Sequence, residues 1–353
     1  MLLLLRHLDR DRFDPTLCLF AREGPFLDHV PSDIPIVALG KETRWDTPAV
    51  LGRLASLIRR TRPDVILSKL VFTNEVTVMA NRLSLTRTPL LIVEEAVQSM
   101  ELPTLNRPKF RRALLRWAYR RATSVVAPSP CVAADLRKEV AVRARRFDVI
   151  PNMVELAAIR TAGEERPEHP FSGSDLPLVV TMGRLSPEKG QADLVAAAAA
   201  LYDRNPCNLL ILGEGRDREH LEAMARNLGV ADRVAFGGFL ANPFGVLAQA
   251  DLFVSPSYSE SFGNALVEAM ALGVPVVSTR VPCGPEWIIV DGSNGIFAEP
   301  HQPADLARKI SLVLQDAALR SALSAGGRET AREYDASVIV DRYQLLLARV
   351  AER

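Results

Sequence analysis

The sequence predicts an α/β protein made of two doubly wound parallel sheets, and three observations carry that prediction. Short leucine-rich or β-branched runs alternate with helical patterns from end to end, the signature of parallel strands covered by helices. The alternation is interrupted by one polar, Pro- and Gly-punctuated stretch, 161–177, which is the best place for a domain boundary. Beyond it the alternation restarts, and its early strands run into turns that contain glycine. Two such sheets facing each other would leave a cleft between them, where ligands are expected.

In chain order, Leu2–Leu8 reads as the last turns of a helix. Strands follow at 16–22, 34–39, 64–69, 88–94, 124–129 and 147–150, with helices near 46–61, 73–84, 107–121 and 130–140. These compose a first domain over 1–160, and 161–177 is its linker. The second domain, 178–330, has strands near 178–182, 208–212, 233–236, 252–256, 274–279 and 295–298. The segment 331–353 ends in one helix from Asp335, with Val338, Ile339, Tyr343, Leu346 and Leu347 on an apolar stripe.

At 353 residues, 48% hydrophobic and 24% charged, the composition is that of a soluble globular protein with room for two cores. The net charge of +1 hides an asymmetry: residues 1–150 carry 25 Lys and Arg against 16 Asp and Glu, and the remainder 18 against 26. Two modules with different partners follow. Four cysteines stand apart with no Cys-x-x-Cys pair, which argues against a zinc site and suits a reducing, cytoplasmic compartment. The apolar start is cut short by Arg6, His7 and Asp9, too early for a signal peptide, and no run is long enough to span a bilayer.

Three stretches carry chemistry. Glu260-Ser261-Phe262-Gly263-Asn264 leaves a buried strand and enters a helix that holds Glu268 about two turns in. An acid near a helix start is commonly structural; here Gly263 permits close backbone approach and the first-turn amides are free to meet an anion. Gly183-Arg184-Leu-Ser-Pro-Glu-Lys189-Gly190 places an Arg and a Lys on a loop entering a helix, where they oppose the helix dipole and so lack an obvious structural cause. Together they supply the positive charge and amide donors that a diphosphate needs. Gly213-Glu-Gly215 is a weak signal alone, since any tight strand-to-helix turn favours glycine.

The ordered set resembles the Gly-Arg-Leu-x-x-x-Lys-Gly and Glu-x7-Glu motifs of the family-four retaining glycosyltransferases, which have the two-domain GT-B fold. The resemblance covers nearly the whole chain and is strongest from Gly183 to Gly295. It implies that Arg184 and Lys189 grip the diphosphate of a nucleotide sugar, that Glu268 binds the ribose hydroxyls, and that Glu260 contacts the donor sugar. It further implies donor contacts from Gly183, Gly213, Gly215, Ser261, Phe262, Gly263 and Asn264, with Gly238 and Phe239 beside the base. Arg184, Lys189 and Glu260 are then the catalytic set, with no cofactor and no metal. Asn242-Pro-Phe and Cys283-Gly-Pro-Glu286 look like bacterial enzymes of surface-polysaccharide or lipid-linked oligosaccharide synthesis.

The expected function is transfer of a hexosyl or N-acetylhexosaminyl group, with retention, from a nucleotide-diphosphate sugar, UDP-linked, to a glycan or lipid-linked glycan acceptor. Where relatives carry a His-Asp or His-Asn pair this chain has Glu94 and Glu95, the candidates for the acceptor side. The basic amphipathic helix 107–121 suits either an anionic membrane surface, with peripheral association at the inner face of the membrane, or a core-packed helix with a solvated basic face; no nucleic-acid module is recognised. Family members usually have a first strand and a glycine-rich loop ahead of the opening helix, so the first domain is expected to be shortened at its start. The rival reading of a different class is a non-catalytic nucleotide-sugar-binding subunit.

Overall fold

Leu178–Met182, Asn208–Leu212 and Leu252–Ser255 are predominantly apolar runs, and each becomes a strand buried on both faces, as parallel sheets under helices require. The structure is a computed structural model that describes residues 1–24 and 26–352, and of Arg44 the backbone alone. It divides into two units, Met1–Met153 with Ala336–Arg353, and Val154–Asp335.

In the second unit six parallel strands, β7 (Leu178–Met182), β8 (Asn208–Leu212), β9 (Val234–Gly238), β10 (Leu252–Ser255), β11 (Val276–Thr279) and β12 (Ile296–Ala298), lie in the order β12-β11-β10-β7-β8-β9. Alternate strand residues enter two separate cores. Val179, Leu209, Ile211, Val254 and Val277 join one, while Val180, Leu210, Leu212, Phe253 and Val276 join the other. That is the period-two alternation of a sheet with helices on both faces. The chain builds outward from β7 to β9, then restarts on the other side of β7 with β10. The switch point therefore lies between β7 and β10, where doubly wound sheets hold ligands beyond the carboxyl ends of their strands.

In the first unit, β1 (Leu17–Leu19) pairs with β2 (Ile36–Ala38), and β3 (Ile66–Lys69), β4 (Leu90–Val93), β5 (Ser124–Ala127) and β6 (Phe147–Val149) form a separate four-stranded parallel ladder. The helices Thr47–Thr61 and Val71–Ser84 bridge the two ladders through Val50, Leu54, Ile58, Val76 and Ala80, against which Cys18, Val37 and Ile66 pack. All twelve expected strands form: β7 and β8 with the expected bounds, β9 one residue longer, and the other nine shorter by one to four residues.

The boundary departs from expectation. Residues 161–177 are no linker: Phe171 packs into a core of the second unit, Asn208 Nδ2 donates to Ser174 Oγ at 2.8 Å, and Gln249 Nε2 donates to the Pro167 carbonyl at 3.2 Å. A polar segment can be pinned by hydrogen bonds that leave no apolar periodicity to read. The crossing instead falls at Met153, and the chain returns at Ala336. The last helix, Ala336–Ala351, packs Ile339, Val340, Tyr343, Leu346 and Leu347 with Leu4, Leu8, Leu91 and Val126 of the first unit. Val338 lies off that stripe and is exposed. Among the described residues no helix is long and apolar enough to cross a membrane.

Candidate donor site

The loop after β7 and the loop after β10 meet at the switch point. Lys189 Nζ lies 2.5 Å from Glu260 Oε1, and Ser257 Oγ donates to the same oxygen at 2.9 Å. Both charged side chains are largely withdrawn from solvent, so the pair is charge-assisted and well screened from water. The backbones are tied as well: Tyr258 N donates to the Glu188 carbonyl at 2.8 Å. At Gly190, with φ +66°, a Cβ would stand 2.0 Å from the Pro256 carbonyl oxygen. Only glycine lets the two loops approach so closely.

Gly213 does the same for the turn after β8. It holds φ +128°, and a Cβ there would lie 1.9 Å from the Gly183 carbonyl oxygen. Leu185 N donates to the Glu214 carbonyl at 2.9 Å, and Gly213 N to the Gly238 carbonyl at 2.7 Å. An irregularity in β9 lets Gly238 pair with Leu212, after which Phe239 stands 79% exposed. The three glycine-bearing turns thus form one continuous backbone surface at the carboxyl end of the sheet. Arg184 extends its side chain into solvent there, while its carbonyl accepts from Gln191 Nε2 at 3.0 Å.

The helix carrying Glu268 begins at Asn264, one turn before it rather than two, because Gly263 at φ +103° turns the chain and keeps Phe262 outside. The Phe262 ring is fully buried and meets Tyr334 edge-on at 5.2 Å, so only its backbone can serve a ligand. Ser261 is half-buried and Asn264 exposed. Burial pushes the Glu268 carboxyl up to about 7, and among the described residues it has no hydrogen-bond or ion-pair partner. A carboxylate desolvated without a partner favours a hydroxyl donor from outside.

On the first unit the acceptor candidates separate. Glu94 is 2% exposed. Its Oε1 accepts from the amides of Glu95 and Ala96 at 2.8 and 2.9 Å, and its Oε2 from the Tyr119 hydroxyl at 2.7 Å. Burial raises it to about 7 against those hydrogen bonds. Both of its oxygens are thus engaged in closing the β4 turn. Glu95 is half-exposed and ion-paired with Lys69 at 2.7 Å. Sequence reasoning overlooked Ser257 and Gln191, which hold Glu260 and the Arg184 backbone; their signal is their position, Ser257 three residues ahead of Glu260 and Gln191 directly after Lys189-Gly190. No cluster of three His, Cys, Asp or Glu side chains is placed to hold a metal among the described residues.

Two family models meet end to end on this architecture. One described as Glycosyltransferase Family 4 matches residues 1–158, and one described as Glycosyl transferases group 1 matches residues 164–330. The chain belongs to the family-four glycosyltransferases.

Among similar proteins of the family, the lipopolysaccharide core biosynthesis glycosyltransferase LpsE of Rhizobium meliloti is 35% identical over 205 residues, 58% of each chain. The 2-deoxystreptamine glucosyltransferase of Streptomyces kanamyceticus is 34% identical over 224 residues, 62% of this chain and 58% of that one. The chain thus spans a little over half the length of these relatives. Of solved structures, HepE of Anabaena in complex with UDP superposes with a TM-score of 0.82 at 22% identity, covering 99% of this chain and 95% of that one; the same protein is also known with UDP-glucose. The likeness shows the GT-B fold.

Proposed function

We propose that the protein is a retaining glycosyltransferase that takes a hexosyl or N-acetylhexosaminyl group from a UDP-sugar and passes it to a glycan or lipid-linked glycan. The observation that carries this reading is the Lys189–Glu260 pair at the β7/β10 switch point, beside the exposed Arg184. A departing diphosphate develops negative charge, and preorganised cations are worth most where water is excluded. Lys189, fixed by Glu260, and Arg184 supply that charge, so the reaction runs without a metal. Glu268 takes the ribose hydroxyls, Gly213, Gly215 and Gly238 line the nucleotide with backbone, and Glu260 meets a hydroxyl of the sugar. The protein chiefly positions donor and acceptor on one face. The binding of UDP and UDP-glucose by a structural neighbour supports the choice of nucleotide.

The first unit takes the acceptor, and the helix Pro108–Tyr119 brings it to the inner membrane face. Leu115, Ala118 and Tyr119 anchor that helix in the core while Arg111, Arg116 and Arg120 stay exposed beside Phe110. The test is a thermal-shift screen of UDP-, GDP- and ADP-hexoses followed by transfer assays with the stabilising donor. Stabilisation by UDP-sugars and metal-chelator-resistant turnover are expected; indifference to every nucleotide sugar would sink the reading.

A further inference from the structure

The carboxyl ends of β1, β2 and β3 bring together a feature that the donor chemistry does not use. Lys41 N donates to the Phe20 carbonyl at 2.7 Å, and the Phe20 and Phe72 rings meet edge-on with centroids 6.0 Å apart. Lys41 Nζ stands 5.8 Å from the Phe72 ring centroid. Phe72 is 41% exposed and Leu70 is 62% exposed. Leu70 also holds φ +75° and ψ 136°, backbone that a leucine rarely adopts and that persists only where the surroundings impose it. The neighbouring Lys69 is committed to Glu95, whereas Lys41 forms no ion pair among the described residues.

We propose that Lys41, Phe72 and Leu70 form a platform that binds a phosphorylated sugar ring, the C–H face of the ring lying on Phe72 and Leu70 and the phosphate meeting Lys41. This rests on the reading that the first unit takes the acceptor, and it names the acceptor's chemistry. Ligand sites combine apolar surface with a few polar groups that fix orientation. Here the apolar surface is an aromatic ring whose edge is already braced by Phe20. Lys41, which forms no ion pair among the described residues although Asp46 feels its charge, is a compact point charge suited to phosphate. Charge complementarity favours the same occupant, because residues 1–150 hold 25 Lys and Arg against 16 Asp and Glu. The place agrees too, since ligands of α/β sheets sit beyond the carboxyl ends of strands.

The test is titration calorimetry on the full chain with the 1- and 6-phosphates of glucose, mannose and N-acetylglucosamine, beside the free sugars and inorganic phosphate. At least one sugar phosphate is expected to bind tenfold or more tightly than its sugar or phosphate alone. Lys41→Gln should bring that ligand down to the affinity of the free sugar, and Phe72→Ala down to that of inorganic phosphate. Leu70→Ser, at a more exposed position, provides a second variant of the apolar surface in case Phe72→Ala disturbs the first turn of the helix Val71–Ser84. UDP affinity should stay within twofold in all three. A phosphorylated disaccharide run alongside separates the sources: equal affinity identifies a free sugar phosphate, tighter binding the end of a glycan. Wild-type affinity in Lys41→Gln, or no sugar phosphate surpassing inorganic phosphate, overturns the platform. If UDP fails to bind while a sugar phosphate does, the donor reading falls and the platform stands.

Discussion

Lys189 and Glu260 illustrate how much one pair can constrain. Each alone is an ordinary loop residue; 2.5 Å apart, with Ser257 on the same oxygen, they are a preorganised charge at the ligand end of the sheet. Lys189→Ala should lower kcat by roughly 10²–10³, the usual cost of losing one group aimed at developing charge, as read in steady-state transfer assays; unchanged turnover removes Lys189 from the chemistry. A second residue-scale prediction concerns Glu75, buried beside the Glu94 network, with an Oε1 that has no hydrogen-bond partner among the described residues. Burial, opposed by Arg111 and reinforced by Glu94, pushes its pKa up to about 7 from 4.5. The native state therefore keeps a proton between pH 4.5 and 7 that the unfolded chain has released, and this group's contribution to stability falls as pH rises through that window. Glu75→Gln should gain on the order of 1 kcal/mol at pH 8 after allowance for Arg111 and solvent, and flatten the pH dependence of urea midpoints. Arg184 and Lys189 could be picked out in the sequence because their charges oppose the helix dipole, and Glu260 because Gly263 and the first-turn amides stand beside it. Glu94 and Glu95 could not be told apart: residue type says nothing of direction, and adjacent carboxylates went one into the core and one to Lys69.

At the scale of elements the site is made by turns whose glycines are contact points. Gly213 is the sharpest case, since a methyl group there would sit 1.9 Å from the Gly183 carbonyl oxygen and demand φ +128° of an alanine. Gly213→Ala should therefore push the β7 and β8 turns apart, weaken UDP binding at least tenfold and leave the far-ultraviolet circular dichroism of the chain unchanged, because β8 itself is buried on both faces and keeps its packing. Retained UDP affinity in that variant would show that the turn does not line the nucleotide. Strands were legible because buried parallel strands are plain apolar runs. The start of the Glu268 helix was not, since Phe262 fits the helical apolar spacing yet is held outside by the backbone of Gly263. The segment 161–177 misled for the converse reason: it is anchored by side-chain and carbonyl hydrogen bonds rather than by an apolar face.

The whole molecule has two units with separate cores, and every proposed donor contact lies in Val154–Asp335 while the proposed acceptor platform lies in Met1–Met153 with Ala336–Arg353. The last helix belongs to the first unit through Tyr343, Leu346 and Leu347 against Leu4, Leu8 and Leu91, so neither unit is a simple contiguous half of the chain. Where Val154 N donates to the Tyr334 carbonyl and Leu156 N to Asp335 Oδ2, the outgoing and returning strands are fastened side by side within the second unit. Each unit can then melt on its own terms, and a ligand stabilises only the unit whose folded form binds it. UDP at a hundred times its Kd should add about 2.7 kcal/mol to the second unit, a rise of roughly 5–10 °C for a domain of that size, while the first unit's calorimetric transition stays where it was. A sugar phosphate recognised by Lys41 and Phe72 should do the reverse. Nucleotide that moves the first unit's transition alone would contradict the assignment of the donor to the β7/β10 switch point; both transitions moving together would mean that the units unfold as one cooperative body.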